Sequence, residues 1–128
     1  MRSSARAERG AAVVDIVLVM VVLVPLVLGI LQVALVLFVR NTMASAAAEG
    51  ARLAATADRG PADGVALTRR QIDAVVSGRF AEDVVARPVL VDGAPGVEVV
   101  VRASVPALGL GGPAIDIEVT GHAVEEQP

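Results

Sequence analysis

From Ile16 to Val39 the chain runs for 24 residues without a charge, and 20 of these are Val, Leu, Ile, Met or Phe. At about 1.5 Å rise per residue a helix of that length measures roughly 36 Å, enough to cross a hydrocarbon core of about 30 Å with some tilt. The pattern predicts a membrane span over 16–39. Pro25 removes a backbone donor and Gly29 loosens the same region, which predicts a kink or local unwinding near residues 21–29. Gln32 is the one polar side chain in the run. It either meets a protein neighbour or is a single amide that lipid tolerates.

Past Arg40 the character changes but no helix stop appears. Asn41 to Ala57 is rich in Ala, has no Pro and only one Gly, and so has high helix propensity. Small residues recur at 46, 50 and 54 and at 47, 51 and 55, a spacing that lets another backbone approach closely, although a good Ala helix has the same pattern. Glu49 and Arg52, three residues apart, can pair on the exposed side for a few tenths of a kcal/mol. One helix from about Ala11 to Ala57 is therefore expected. Gly60 would cap its end, and Pro61 would open a second helix from about Ala62 to Arg79 with Leu67, Ile72, Val75, Val76 and Phe80 on its apolar face. Gly64 leaves the first turn of that helix open.

The remainder alternates with a period of two. Val84 to Val91 and Val97 to Val105 read as strands around a turn at Asp92 to Gly96. Pro106 to Pro113 is a loop, and Ala114 to Val124 sets Ile115, Ile117 and Val119 against Asp116, Glu118 and Thr120. The fold class is thus α+β: a long N-terminal helix, a second helix and a small three-stranded antiparallel sheet whose apolar face is covered by the second helix or by the outer half of the first. Three units follow: a basic leader, 1–10; the long helix, 11–58, with the span at 16–39; and an exported domain, 59–128. Residues 125–128 are expected to be a disordered end.

Composition removes several function classes. There is no Cys, Trp or Tyr, so thiolate metal sites and disulfides are unavailable, and Phe38 and Phe80 are the only aromatic residues. The net charge is −3, and with the leader's +2 set aside the chain from Ala11 onward carries −5, which argues against nucleic acid as a partner. The basic leader favours a cytoplasmic N-terminus, but Arg40, Arg52 and Arg59 on the other side bring the charge rule close to a tie. His122 is the single histidine and has no partner motif around it; a lone His is more often a surface or packing residue. No nucleophile and base pairing, phosphate loop, dinucleotide fingerprint or metal-ligand spacing appears. The reading is non-enzymatic, with no cofactor and no metal.

Asp15 is the residue whose position costs energy. A carboxylate at the mouth of a span needs water, a cation or a proton, and the free N–H groups of a helix start help it. It either sits solvated at headgroup level or serves packing. If the chain were cut between Gly10 and Ala11, the new amine of Ala11 would lie near Asp15, and the two charges could neutralise one another within one subunit or between neighbours.

The stretch Arg9-Gly10-Ala11-Ala12-Val13-Val14-Asp15-Ile16 and the apolar run behind it resemble the class III, type IV prepilin signal, with a peptidase cut after Gly and an acidic residue at the fifth mature position. Phe38-Val39-Arg40-Asn41-Thr42 with Ala47-Ala48-Glu49-Gly50-Ala51-Arg52 is similar to the TadE-like family of Flp (tight adherence) pilus pseudopilins, and Ala57 to Gly64 looks like its actinobacterial branch. The resemblance covers roughly residues 9–64; one departure is Asp15 where the family usually has Glu.

It implies a pilin-like fold and a pseudopilin or minor pilin acting in assembly of Flp pili or a related secretion machine. The implied partners are the membrane, a prepilin peptidase, other Flp pilins and Tad assembly proteins, with Gly10 and Ala11 at the cut, Asp15 in helix packing, and Arg40, Glu49, Gly50 and Arg52 as the family motif. It also implies a single-pass protein of the cell membrane, with the leader in the cytoplasm, the C-terminal domain outside, and a place in the fibre itself left open. Two rivals remain: an uncleaved signal-anchored module that recruits an envelope partner, and a secreted domain released by ordinary signal peptidase at Ala44-Ser45-Ala46.

Overall fold

The structure, a computed structural model, describes residues 4–76, 81–108 and 111–126, with side chains described from residue 10 onward and not at 81–82. Helix α1 (Ser4–Ala54) is followed by helix α2 (Pro61–Val75) and by strands β1 (Ala81–Val91), β2 (Ala94–Val105) and β3 (Ile115–Val124). The strands form one antiparallel sheet in the order β1-β2-β3. This is the expected α+β arrangement.

Helix α1 is 51 residues long, about 76 Å at the usual rise. It starts at Ser4 rather than at Ala11, because Ala5, Arg6, Ala7, Glu8 and Arg9 are themselves helix formers and Gly10 alone does not stop them. It also runs without interruption through Pro25 and Gly29, so the local unwinding expected there is not seen. It ends at Ala54, three residues before the expected Ala57. The Thr56 hydroxyl donates to the Leu53 carbonyl at 2.6 Å and closes the last turn.

Gly60 plays the opposite role to the one expected. Its backbone is extended (φ −146°, ψ 178°), so it does not end α1 as a left-handed cap; it is the N-cap of α2. The Gly60 N–H donates to the Asp63 carboxylate at 3.1 Å, and Pro61 fills the first helical position. The face that α2 buries is Gly64, Thr68 and Ile72, with Val76 just beyond its end. Val75, expected on that face, is 59% exposed, and Phe80 and Arg79 lie outside the described residues.

The β1–β2 turn contracts to Asp92 and Gly93, both with positive φ, and Ala94 to Gly96 join β2. The alternation in β2 is faithful: Val97, Val99, Val101, Ala103 and Val105 are buried. From β3, Ile117 and Val119 join them. The outward face carries charge in cross-strand rows, with Arg87 bonded to Glu98 (2.6 Å) and Arg102 to Glu118 (2.8 Å). At the C-terminal end, expected to be disordered, the Glu125 N–H bonds to the Pro95 carbonyl and the Glu126 N–H to the Ala55 carbonyl; Gln127 and Pro128 lie outside the described residues.

Both helices cover the inner face, α1 over β2 and β3 and α2 over β1. Their approach is set by three glycines. A Cβ added to Gly50 would lie 2.8 Å from the Gly64 carbonyl oxygen, and one added to Gly64 would lie 2.6 Å from the Gly50 carbonyl oxygen. On the sheet side, a Cβ on Gly121 would lie 2.6 Å from the Ala47 carbonyl oxygen and closer still to the Ala47–Ala48 peptide. The two small-residue stripes therefore serve two neighbours: 46, 50 and 54 meet α2, while Ala47 meets the sheet at Gly121. Thr68, the buried polar residue of the core, has its hydroxyl 2.9 Å from the Gly64 carbonyl and 3.2 Å from the Ala46 carbonyl. One proton thus faces an acceptor in each helix.

Because backbone atoms cannot yield as a side chain can, Gly50→Ala and Gly121→Ala should each lower stability by about 1–3 kcal/mol, against a helix-propensity gain at position 50 of at most about 1. Gly29→Ala, where an added Cβ meets nothing, should leave stability unchanged or slightly raised. Thermal unfolding of the full chain in detergent micelles measures all three, and equal melting of Gly50→Ala and Gly29→Ala would refute the close-approach account.

Candidate functional site

The residues that the sequence singles out fall at two places on α1. Gly10, Ala11 and Asp15 lie near its beginning, all exposed. Ala11 and Asp15 are four apart and so share one face, with about 6 Å of rise between them. From Val13 to Val27 every side chain is exposed. No other helix among the described residues is long and apolar enough to cross a membrane.

The second place is the juncture with the domain. Arg40 and Arg52 are exposed, and Gly50 is buried at the crossing with α2. Glu49 does not pair with Arg52; its carboxylate accepts a hydrogen bond from the Gln71 amide on α2. The expected pair fails because α2 offers a closer donor across the interface than the flexible guanidinium one turn on. The structure thus brings Glu49 and Gly50 to one helix crossing and leaves Arg40 and Arg52 on its outside. The sites at Gly10 to Asp15 and at residues 40–52 are separated by the whole apolar run, 16–39.

Two features lay beyond sequence reasoning. Covering of α1 by the domain begins well inside the expected span: Leu35 and Val36 pack against the core, and Val39 and Met43 are fully buried within it. The same segment keeps Val33, Leu37 and Phe38 bare. Here the helix has one face in the domain and one outside it. Gln32 resolves the two readings left open for it in favour of a protein neighbour. Its Nε2 donates to the Pro106 carbonyl at 3.3 Å, and its Oε1 accepts from the Leu108 N–H at 2.7 Å. The amide thus ties the loop after β2 to the apolar run. Its polarity in an apolar context was the signal; the partner, 74 residues away, was not readable.

A shallow apolar groove of about 530 Å³ lies between the helices, lined by Phe38, Thr42, Gln71 and Val75 among others. His122 is exposed on β3, opposite Glu98 in register, and no group of three or more metal-ligating side chains occurs among the described residues. What the arrangement provides is a surface: a long bare helix rigidly joined to a small domain.

Gln32→Leu keeps the side-chain bulk and removes both loop bonds. Amide exchange at Leu108 should accelerate by about fivefold, the equivalent of about 1 kcal/mol, while exchange in the middle of β2 stays unchanged. Hydrogen exchange read by NMR or mass spectrometry on the full chain in micelles decides it.

Against known proteins, the family described as TadE-like protein matches residues 10–52, about a third of the chain. The match runs along α1 from the exposed glycine to the last turns that pack on α2. No curated protein and no solved structure matches the chain.

Proposed function

We propose that this chain, TadE-like over residues 10–52, is a pseudopilin or minor pilin that acts in assembly of Flp pili or a related secretion machine. The observation that carries the reading is the coincidence of that match with the architecture of α1: an unbroken helix, bare from Val13 to Val27 and part of the domain's core from Leu35 onward. TadE-like proteins are structural components of pilus systems, and no enzymatic step is assigned here.

In this reading the leader 1–10 faces the cytoplasm, a prepilin peptidase cuts between Gly10 and Ala11, and the domain stands outside the membrane. Lateral packing of the bare helix against other pilin helices follows in lipid. The amine freed on Ala11 lies one turn from Asp15, so each charge can offset the other's burial as helices associate. Arg40, Glu49, Gly50 and Arg52 carry the family motif; the role of Gly50 is the close helix crossing, and that of Glu49 is the bond to Gln71.

The burial pattern argues against release at Ala44-Ser45-Ala46. A chain starting at Ala47 would lack Val39, Met43 and Ala46, all buried in the core.

The mass and N-terminal sequence of the protein taken from its native membrane test the reading. A mature start at Ala11 is expected; a start at Met1 would instead favour an uncleaved anchored module, and a start at Ala47 would sink both. A second expectation concerns the charge. Asp15→Ala should insert as the unchanged chain does but lose association with partner pilins by at least about tenfold, since an ion left unpaired on burial costs about 3–5 kcal/mol. Co-purification with those pilins measures this, and an unchanged yield would refute the role given to Asp15.

A further inference from the structure

The bare helix and the domain set a length problem. From Asp15 to Gln32 there are 17 residues, about 26 Å of helix, whereas a hydrocarbon core is about 30 Å thick. Gln32 is bonded directly to Pro106 and Leu108, so Pro106–Leu108 lies at its depth. Short of thinning locally by about 4 Å, a bilayer around α1 takes in Asp15 at one end or Pro106–Leu108 at the other.

The two ends differ in cost. Asp15 is a carboxylate, and before helices associate nothing in hydrocarbon replaces the water around it, so moving it into lipid is costly. The loop end has no such group: from Ala103 to Ile115 there is no charged residue, and Ser104 is the one polar side chain. Backbone polarity is the usual obstacle to placing a loop in lipid, and at Pro106 and Leu108 part of it is removed. The Gln32 amide satisfies the Pro106 carbonyl and the Leu108 N–H, and Pro106 and Pro113 have no N–H to satisfy. Apolar surface gathers at this end as well. Leu108 is 36% exposed, and Ile115, on the inner face beside buried Val105, is 42% exposed where the helices no longer cover it. Val33, Leu37 and Phe38 are bare on α1 at the same level.

We infer that the sheet end formed by Pro106–Leu108 and Ile115 is a second membrane contact, seated in the outer leaflet at the boundary of headgroups and acyl chains. The inference rests on the reading that α1 spans a membrane. Its occupant is lipid, because the apolar surface is continuous with the bare helix and is uncharged throughout. The domain then stands on the bilayer at two points, α1 and the loop end, with the Asp92–Gly93 turn at the far end of β2 held in water.

The chain has no Cys, so single labels can be placed without background. Nitroxides at Leu108→Cys and Ile115→Cys, with Val22→Cys and Asp92→Cys as references, would be read in the full chain reconstituted at high dilution in phosphatidylcholine and phosphatidylglycerol vesicles. The measurement is collision with dissolved oxygen against collision with a water-soluble nickel complex. At 108 and 115 the oxygen-to-nickel ratio should exceed that at 92 severalfold and approach that at 22. A ratio at 108 and 115 equal to that at 92, with 22 in lipid, would place the loop above the membrane and overturn the inference alone. Low collision with both reagents at 108 and 115 would mean a protein neighbour covers them, and would equally overturn it. A water-exposed label at 22 would sink the spanning helix and this inference with it. Two labelled positions guard against one substitution disturbing the loop.

Discussion

Everything in the domain depends on how closely α1 is approached from two sides. Gly50 and Gly64 bring α2 to backbone contact, and Gly121 brings β3 against the peptide between Ala47 and Ala48. A core this small, built largely of Val and Ala, has few large side chains with which to bridge a gap. Close backbone approach replaces bulk: dispersion falls steeply with distance, and small residues let many atoms reach contact at once. The cost is intolerance, since neither neighbour can retreat without opening the contact on the other side. Thr68 adds direction to the helix crossing, because its hydroxyl finds acceptors in both helices.

The proposed function asks that the same helix also be soluble in lipid. From Gly10 to Val27 it needs no facing preference, and every residue is exposed. From Gln32 onward it needs two faces, and the sequence supplies them in two ways. Beyond Arg40 the covered face is Met43 followed by small residues and the free face polar or charged, so the division shows in the letters. Between Gln32 and Val39 both faces are apolar, one for the core and one for the outside. Val39 is fully buried while Phe38 beside it is half exposed, yet both read as hydrophobic. Periodicity vanishes when every position is apolar, and for that reason the start of the domain's hold on α1 was illegible. Gln32 was the one break in uniformity there.

Elsewhere legibility followed the strength of local rules. The strands were readable because β2 and β3 alternate with one face covered and one charged. Asp92–Gly93 was readable as a turn through its residue types, though its length was not. The capping residue Gly60 was misassigned because glycine suits either end of a helix; the carboxylate of Asp63, three residues on, decided for a start. Gly64 looked like a weakness in α2 when judged by propensity and proved to be its point of closest contact. Glu49 and Arg52 failed as a pair because spacing along one helix says nothing of a donor on another, here Gln71. Of the candidate site, the residue types and their order were legible, whereas the pairing of α1 with α2 and with the loop after β2 was not.

The rigid joint between span and domain has a mechanical consequence. Met43 and Val39 are core residues, and Gln32 is bonded to the domain's loop, so α1 cannot rotate about its axis independently of the sheet. The bare face of the helix and the charged outer face of the sheet are therefore held at a fixed angle. In the proposed function, a neighbouring helix that packs against Val13 to Leu31 thereby chooses which way the rows Arg87–Glu98 and Arg102–Glu118 point. In a flexibly tethered protein, contacts in the membrane and contacts outside would be selected separately. Here they are one choice, made by whichever of the two is stronger. With no stop between span and core, α1 transmits it in full.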